Sequence, residues 1–310
     1  MRRKTASDRP ELAPSERDGA AEAAFLEAER PRLLGLAYRI LGSRAEAEDA
    51  VQDAFLRWRT AERATIESPG AWLTTVCTRR AVDMLRAAYR SRVDYIGDWL
   101  PEPIHTAVEH EADARMDLAS SLSTAFLLML ERLAPKERAA YLLHEIFDMS
   151  YADVAASLDM NETACRKLVS RAKGRVAANE ARCRPTRERQ EELLAAFQDA
   201  VRTGRPDNLA HLLASDVRLT ADGGGKVMTA TGVRRADDVL AFLTERLHVW
   251  WGSYEWSLSE LNGALGVVLR DAGKTVAAVS IACDGSSRVA DIYIMRNPDK
   301  LARLNEVKIE

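Results

Sequence analysis

The sequence predicts a multidomain chain in which two all-α domains precede an α+β domain. Between residues 21 and 184, apolar residues recur at three- and four-residue spacing, which is typical of amphipathic helices. Beyond Pro185, two helical segments give way to short alternating segments rich in β-branched residues, which predict strands. A length of 310 residues with 47% hydrophobic residues suffices for more than one core.

Local composition predicts where the domains begin and end. Residues 1–20 are charged and carry no apolar period, which predicts a flexible tail. Gly97, Pro101 and Pro103 interrupt the helical spacing and predict a linker. The predicted divisions are a tail at 1–20, a helical domain at 21–92, a linker at 93–115, a second helical domain at 116–184 and an α+β domain at 186–310.

Charge and hydropathy exclude several classes of protein. Lys and Arg total 44 against 47 Asp and Glu, so the chain is not a uniformly basic nucleic-acid coat, and nucleic-acid contacts must lie in local patches. No apolar run is long enough to span a bilayer, and the N-terminus lacks the apolar core of a signal peptide, so we expect a cytoplasmic protein without a membrane partner. The four cysteines form no CxxC pair, so we expect no metal site and no disulfide framework.

The first helical domain contains one helix with an acidic outer side. Ser43 to Glu46 has the form of a capping box, and apolar residues from Ala47 to Trp58 form a buried face behind it. The opposite side is either a solvated face or a docking surface for a partner protein. Its residues are Asp49, Gln52, Asp53 and Leu56.

A second helix of this domain has a basic outer side. Ser68-Pro69 is an N-cap followed by a first-turn proline, which predicts a helix beginning near Trp72. Its outer side suits contact with phosphates or is a merely soluble basic face. The basic residues on that side are Arg79, Arg86 and Arg90.

The second helical domain has the spacing of a helix-turn-helix. A helix over 137–147 precedes a short helix that Ser150 caps and that ends at Leu158, and a third helix follows Asn161. Outward Arg and Lys side chains on such a third helix read base edges and hold phosphates, although an ordinary surface helix of a bundle is the alternative. The outward residues are Thr163, Arg166, Lys167, Ser170 and Arg171, with Lys173 at the flank.

The α+β domain is predicted from a mixture of periods. Helices are expected over 188–202, 208–213 and 236–248, and strands near 217–220, 226–231, 253–261, 264–270, 274–283 and 288–296. The three glycines at 223–225 predict a tight bend rather than a phosphate-binding loop. Of the aromatic residues at 250–256, at least two are expected to fill the core, while the others line a pocket or contact another domain.

Three strings in the helical part resemble an extracytoplasmic-function (ECF) sigma factor. AEDAVQDAFLRW at 47–58 resembles the core-polymerase-binding helix of the family's domain 2, and SPGAWLTTVCTRRAVDMLR at 68–86 resembles its promoter-melting part. YADVAASLDMNETACRKLVSRAKGRV at 151–176 resembles domain 4, which reads the upstream promoter element. The resemblance implies core RNA polymerase and promoter DNA as partners. It also implies that the loop after the acidic helix holds a flipped base, for which Arg63, Thr65 and Glu67 are the candidates, although a plain connector fits the local sequence equally.

Three further strings resemble the subgroup of these factors that carries a C-terminal SnoaL-like domain. They are YIGDWLPEP at 95–103, DGGGK at 222–226 and NPDKL at 297–301. The resemblance implies a cone in which a curved sheet wraps a long helix and leaves an internal pocket. Enzymes of that fold use pocket Asp and His residues, and the candidates here are His211, Asp222, His248 and Asp291.

The position of Asp291 decides whether it has a chemical role. Strand alternation places it on one face with Val289, Tyr293 and Met295. If that face lines the pocket, Asp291 is a buried carboxylate with a raised pKa, and if it faces solvent, Asp291 is an ordinary surface residue.

The apolar residues of the linker predict an interdomain contact. Trp99 and Leu100 need a partner to bury them, and we expect the 99–103 segment to pack near Asp222 to Lys226, with packing onto the first helical domain as the alternative. The predicted regulatory residues are Trp99, Leu100, Pro101, Glu102, Pro103, Asp222, Gly223, Gly224, Gly225, Lys226, Asn297, Pro298, Asp299, Lys300 and Leu301.

The function predicted from these observations is promoter-specific transcription initiation with core RNA polymerase, without catalytic activity or cofactor. The C-terminal domain is expected to regulate activity in cis, so that a separate anti-sigma factor is not required, and a small-molecule ligand of that domain is allowed for. The alternative is a stand-alone DNA-binding regulator whose C-terminal domain senses a small molecule. An enzyme with a fused DNA-binding module ranks third.

Overall fold

The computed structural model describes residues 14–92, 95–106, 121–177, 185–230 and 232–305. Two helical domains are followed by a domain with one six-stranded sheet, which confirms the predicted fold class. Within the described ranges, no helix combines the length and hydropathy needed to cross a membrane.

The first helical domain consists of three helices around a 3-10 turn. They are α1 (Pro14–Leu41), α2 (Arg44–Thr60), the turn Arg63–Thr65, and α3 (Pro69–Arg92). Ser43 caps α2 as predicted, because its side chain accepts the backbone N–H of Glu46 at 3.4 Å.

Two predicted boundaries in this domain are wrong. Residues 14–20 belong to α1 rather than to a tail, because a proline followed by Ala and Glu suits the first turns of a helix. Residues 1–13 of the predicted tail lie outside the described residues. Helix α3 begins at Pro69 rather than near Trp72, and the carbonyl of Ser68 already accepts the Trp72 N–H at 2.9 Å.

The second helical domain contains the predicted helix-turn-helix. Its elements are α4 (Thr124–Leu130), α5 (Pro135–Tyr141, continued by a wider turn over Leu142–Ile146), α6 (Tyr151–Ser157) and α7 (Glu162–Ala177). Ser150 caps α6 by accepting the Asp153 N–H at 3.2 Å. Asp159 makes the turn with a φ of 52°, a left-handed conformation that Asp tolerates. The predicted boundary at 116 and most of the linker's second half lie outside the described residues.

The two helical domains pack as one body around a common apolar core. Leu36 and Leu73 from the first domain join Leu127 and Leu142 from the second in this core, and all four are fully buried. The fully buried Arg138 donates from Nε to the carbonyl of Arg39 at 2.9 Å. The first domain is therefore held against the second by polar as well as apolar contacts.

The C-terminal domain is a sheet curved around helices. Its elements are α8 (Arg187–Thr203), α9 (Asp207–Ala210), β1 (Leu213–Asp222), β2 (Val233–Arg234), α10 (Ala236–Ala241, continued by a wider turn over Phe242–Leu247), α11 (His248–Trp251), β3 (Glu255–Leu261), β4 (Ala264–Asp271), β5 (Lys274–Cys283), β6 (Val289–Met295), α12 (Pro298–Leu301) and a final 3-10 turn (Ala302–Asn305). The strand order is β2-β1-β6-β5-β4-β3, with β1 and β6 parallel and the other pairs antiparallel.

The strand predicted over 226–231 is wrong for its described part, residues 226–230. Gly224 and Gly225 have φ values of 62° and 70°, so the chain turns away from the sheet after β1. It returns only at β2, where Val233 pairs with Leu219. The helix predicted over 208–213 ends at Ala210, because Leu213 already begins β1.

Aromatic residues fill the interior of the cone as predicted. Trp251 is fully buried in the core of this domain, and the half-buried Trp256 packs against the same core. Trp250 is 40% exposed and lies outside that core. The described cysteines, Cys77, Cys165 and Cys283, are buried free thiols.

Candidate nucleic-acid interface and interdomain junction

The outer side of α2 is an accessible surface. Asp49 and Gln52 are exposed, and Leu56 is 51% exposed although it is apolar. Asp53 is half-buried because it forms an ion pair with Arg80 of α3, with 2.6 Å between Arg80 Nε and a carboxylate oxygen. The surface therefore offers two free polar residues and one apolar residue to a partner.

One edge of the α2 surface contacts the C-terminal domain. Arg303 from the final 3-10 turn donates two hydrogen bonds to the Glu48 carboxylate at 2.9 and 2.6 Å. Arg44 donates a third at 3.0 Å. Burial raises the pKa of Glu48, but the two arginines outweigh burial and the net shift is downward.

The loop between α2 and α3 presents its candidate residues to solvent. Arg63 forms an ion pair with Glu22 at 2.6 Å and lies 5.6 Å from the centre of the Trp58 ring. The Thr65 hydroxyl donates to the Glu62 carbonyl at 2.8 Å, and Glu67 is exposed. The three candidates therefore share one exposed loop.

The basic side of α3 is divided between solvent and the second helical domain. Arg79 donates from Nε and Nη2 to the carbonyls of Ser157 and Ala156, each at 2.8 Å. Arg86 is exposed and pairs only with Asp83, at 3.2 Å. The Arg90 side chain lies outside the described residues. The guanidinium of Arg79 is thus occupied by the carboxyl end of α6.

The outer face of α7 carries the six predicted residues together, and all six are exposed. Arg166 pairs with Glu162 at 2.5 Å and stacks over the Tyr151 ring at 4.4 Å. Lys173 pairs with Glu145 at 2.7 Å. The face as a whole comprises Thr163, Arg166, Lys167, Ser170, Arg171 and Lys173.

Asp222 is the hub of a junction between the linker and the C-terminal domain. Its carboxylate is fully buried and accepts the Tyr95 hydroxyl at 2.6 Å and the Leu100 N–H at 2.9 Å. It also accepts the Gly224 N–H at 2.9 Å and pairs with Lys300 at 2.7 Å. All three strings identified in the sequence therefore meet at one carboxylate.

Lys300 of α12 joins the same junction from the other side. Its ammonium donates to the Leu100 carbonyl at 2.6 Å and lies 4.5 Å from the centre of the Trp99 ring. It is also 5.2 Å from the Tyr95 ring. Burial and the neighbouring Asp222 carboxylate raise the pKa of Tyr95, so the phenol stays a hydrogen-bond donor.

Two glycines permit these close approaches. Gly224 has a φ of 62°, and a Cβ there would lie 2.3 Å from Asn297 Nδ2. Gly42, after α1, has a φ of 71°, and a Cβ there would lie 2.6 Å from Trp99 Cη2. The linker tryptophan therefore rests on the first helical domain, while the neighbouring Leu100 contacts Asp222.

Glu102 anchors the linker at the start of α2. Its carboxylate accepts the Arg44 N–H at 2.7 Å and the Ser43 hydroxyl at 3.2 Å, which caps the helix from outside. Tyr38 of α1 donates its hydroxyl to the Glu102 carbonyl at 2.6 Å.

Asn262, in the turn between β3 and β4, completes this contact. Its amide donates to the Tyr38 hydroxyl at 2.9 Å and accepts the Ile104 N–H at 2.8 Å. Tyr38 and Asn262 are both buried, and neither was predicted. The sequence carries no signal for this pair, because Tyr38 reads as a core position and Asn262-Gly263 as an ordinary turn.

The remaining residues of the three strings lie around the same junction. Lys226 pairs with Asp299 at 2.6 Å on the exposed rim, and Leu301 joins Leu100 in a small apolar cluster. Pro101 and Pro103 are buried. Asn297 caps α12, whose first residue is Pro298, and donates to the Tyr95 hydroxyl at 3.0 Å.

The four candidate acid–base residues do not converge. His211 is exposed, His248 contacts the Val201 carbonyl at 2.8 Å, and Asp222 belongs to the linker junction. Asp291 is 2% exposed and pairs with Arg218 at 2.9 Å, so the solvent-facing alternative is wrong. Burial raises the pKa of Asp291 in spite of Arg218.

Asp291 nevertheless does not face the interior of the cone. Ile292 and Ile294 point into the core of the C-terminal domain, whereas Tyr293 and Met295 join the cluster on the opposite face of the sheet. Val289 lies in the cone core, apart from the face predicted for it, because the register of β5 and β6 shifts between Ala282 and Cys283. No group of His, Cys, Asp and Glu residues suited to a metal ion occurs in the described part of the chain.

Comparison with known proteins identifies the family. Residues 25–91 match the model of sigma-70 region 2, and residues 123–176 match that of sigma-70 region 4. The chain is 35% identical over 295 residues to the ECF RNA polymerase sigma factor SigJ of Mycobacterium tuberculosis, covering 90% of this chain and 93% of SigJ. It is 34% identical over 190 residues to the probable ECF RNA polymerase sigma factor SigI of the same species, covering 60% of this chain and 64% of SigI.

A solved structure agrees with these matches. The crystal structure of M. tuberculosis SigJ superimposes with a TM-score of 0.70 at 32% identity, over 90% of this chain and 98% of SigJ. Sigma factors are transcription initiation factors rather than enzymes, in agreement with the predicted lack of catalytic activity. The helix-turn-helix, the acidic-faced α2 and the sequence identity together show that the chain belongs to the ECF family of RNA polymerase sigma factors, in the subgroup with a C-terminal SnoaL-like domain.

Proposed function

We propose that the C-terminal domain regulates this sigma factor in cis by holding its two sigma domains in a closed arrangement. By closed arrangement we mean the packing of residues 95–106 between the first helical domain and the six-stranded sheet. The observation that carries the proposal is the Asp222 junction, where one buried carboxylate binds the linker, the glycine bend and Lys300.

The closed arrangement competes with DNA contact. In this family the two helical domains read separate promoter elements, so they must move apart on the promoter. Here the Arg79 guanidinium, a candidate for phosphate contact, donates instead to the Ser157 and Ala156 carbonyls. Binding of Arg79 to a phosphate therefore requires that α3 separate from α6.

The closed arrangement also touches the surface proposed for core polymerase. We assign polymerase binding to Asp49, Gln52, Asp53 and Leu56 of α2. Arg303 of the C-terminal domain holds the adjacent Glu48 with two hydrogen bonds, and Glu102 of the linker caps the same helix. A large partner that approaches α2 at this edge must displace or accommodate these contacts.

The division of labour between the DNA surfaces follows from exposure. Thr163, Arg166, Lys167, Ser170, Arg171 and Lys173 form the exposed face of α7 and are proposed to contact the upstream element. Arg79, Arg86 and Arg90 are proposed to supply salt-dependent affinity for the backbone. Arg63 and Thr65 in the exposed loop are proposed to hold a flipped base.

Covalent linkage explains how such contacts suffice without a separate inhibitor. A domain tethered to its target binds it at a high effective concentration, so individually modest contacts keep it in place. We therefore propose that a separate anti-sigma factor is not required.

The proposal is tested by loosening the linker in the full-length chain. Trp99→Ala removes the ring that packs on Gly42 and beneath the Lys300 ammonium. We expect more promoter-directed transcription than with the unmodified chain when core polymerase is limiting, because the linker leaves its site more often. The matched control is Trp250→Ala, which truncates a 40% exposed tryptophan away from the linker and should leave transcription unchanged. Equal transcription by Trp99→Ala and the unmodified chain, with both folded by circular dichroism, would contradict regulation through this contact.

A further inference from the structure

A cavity of about 290 Å³ lies between the outer face of the sheet and the second helical domain. Three parts of the chain line it. Asp98 comes from the linker, Leu128, Met129 and Arg132 come from α4 and the residues after it, and Arg218, Arg234 and Asp291 come from the sheet. The cavity is distinct from the interior of the cone, which is filled by the domain's own core.

The sheet side of the cavity carries a row of charged residues across three strands. Arg234 of β2 pairs in register with Arg218 of β1, and Arg218 pairs with Asp291 of β6. Residues directly opposite one another point to the same face, so the three side chains lie side by side. Arg218 and Arg234 are therefore like charges on neighbouring strands, an arrangement that costs stability unless an anion lies nearby.

The negative charge present balances only part of this row. Asp291 forms its ion pair with Arg218, at 2.9 Å. Arg234 is exposed and has no ion-pair partner among the described residues. Arg132 adds a third guanidinium from the opposite wall, and the only further charged residue of the lining is Asp98. The cavity thus has three guanidinium groups and two carboxylates.

We propose that this cavity binds a small amphipathic organic anion, with its carboxylate or phosphate between Arg132 and Arg234. Guanidinium groups recognise both kinds of anion with paired hydrogen bonds. The apolar body of the ligand would lie against Leu128, Met129 and the Tyr293 ring, which line the same cavity. The volume is at the lower end of that of ligand pockets, which fits a compact molecule of one ring rather than a nucleotide.

Such a ligand would stabilise the closed arrangement, and this part of the inference rests on the proposed function. The two arginines that hold the anion come from different domains, and Asp98 comes from the linker between them. A ligand that needs all these walls binds the closed arrangement and not the open one. It therefore shifts the equilibrium toward closure in proportion to its concentration over its dissociation constant.

Calorimetric titration of the full-length chain tests the site without any transcription. The probes are phenyl phosphate and benzoate, which separate the two anion types, and benzyl alcohol as a neutral probe of similar size. We expect one anionic probe to bind with a one-to-one ratio and benzyl alcohol to bind at least about tenfold more weakly, as expected for the loss of a charge-assisted hydrogen bond. Equal affinity for the anionic and neutral probes, or no binding of either anion up to about 10 mM, overturns the site.

Charge substitutions define which residues hold the anion. Arg132→Gln and Arg234→Gln should each weaken binding about tenfold, and Asp98→Asn should strengthen it because a repelling carboxylate is lost. Arg202→Gln, on the exposed side of α8, is the matched control and should bind like the unmodified chain. Arg132 and Arg234 are exposed, so their substitution leaves the fold intact. Unchanged affinity in both arginine variants would contradict the assignment.

Hydrogen exchange tests the coupling to closure separately from the site. The Leu100 amide donates to Asp222 and exchanges only when the linker leaves. At a probe concentration about ten times its dissociation constant, its exchange should slow about tenfold. Exchange that does not change although the probe binds overturns the coupling, whether or not the C-terminal domain restrains transcription.

Discussion

Replacement of Asp222 by Asn should open the closed arrangement. The substitution keeps the size of the side chain but turns one of its oxygens into an NH₂ group. That group then faces either the Leu100 N–H and the Lys300 ammonium, or the Tyr95 hydroxyl and the Gly224 N–H. In both orientations, donors face donors inside a buried junction.

The magnitude follows from the burial of the pair. Asp222 is fully buried and the Lys300 side chain is 14% exposed, so this ion pair is not a surface salt bridge. Removal of one partner of a buried pair costs about 3–5 kcal/mol. Because the groups regain water when the linker leaves, the lower value shifts the ratio of closed to open molecules about 100-fold.

Hydrogen exchange at the Leu100 amide measures this shift directly, and Asp222→Asn should accelerate it about 100-fold. Asp299→Asn is the matched control, because it breaks the exposed pair with Lys226 between the same two strings. A surface pair contributes about 0–1 kcal/mol, so that variant should change exchange by less than about fivefold. If both variants accelerate exchange equally, the Asp222 carboxylate is not what holds the linker.

Three further predictions concern single residues. Arg166→Ala should relax promoter choice at one base pair by about 1–3 kcal/mol in competition binding. A uniform loss over all sequences would remove Arg166 from base reading. Gly224→Ala should lower the melting temperature more than Gly273→Ala, because both glycines have positive φ but only the first added Cβ meets another residue, Asn297. Equal losses would mean that the contact with Asn297 is unimportant.

The third concerns pH. Burial lowers the pKa of the linker residue His105, so the folded chain binds its proton less readily than the unfolded chain. Stability should therefore fall as pH drops through about 6.5, the ordinary value for His, and His105→Asn should remove that part of the dependence in thermal melts. A variant with the same profile as the unmodified chain would assign the dependence elsewhere.

Local chemistry made the helical half of the chain predictable. Ser43 and Ser150 cap their helices as expected, because a cap needs only a side chain and an N–H three residues later. The exposed face of α7 follows in the same way from helical spacing. These features depend on neighbours within one or two turns, and that information is present in any short stretch of sequence.

Features that depend on distant partners were not predictable in the same way. Alternation grouped Asp291 with Tyr293, but it does not tell which side of the sheet the helices of the cone occupy. The pair of Tyr38 and Asn262 joins residues 224 positions apart, without a periodic signal at either. The occupation of Arg79 by carbonyls of α6 likewise depends on how two domains pack.

The strength of the Asp222 junction predicts how the chain should respond to its polymerase. If about 3 kcal/mol keeps the linker in place, the open fraction is about 1%, and the apparent affinity for core polymerase falls by about the same factor of 100. Titration of core polymerase should then give half-maximal transcription at a polymerase concentration about 100-fold lower for Asp222→Asn than for the unmodified chain, with the same maximum at saturation. The maximum stays the same because the substitution changes only the fraction of competent molecules. A lower maximum at saturating polymerase, with the half-maximal concentration unchanged, would instead show that the C-terminal domain acts after polymerase has bound, at promoter opening.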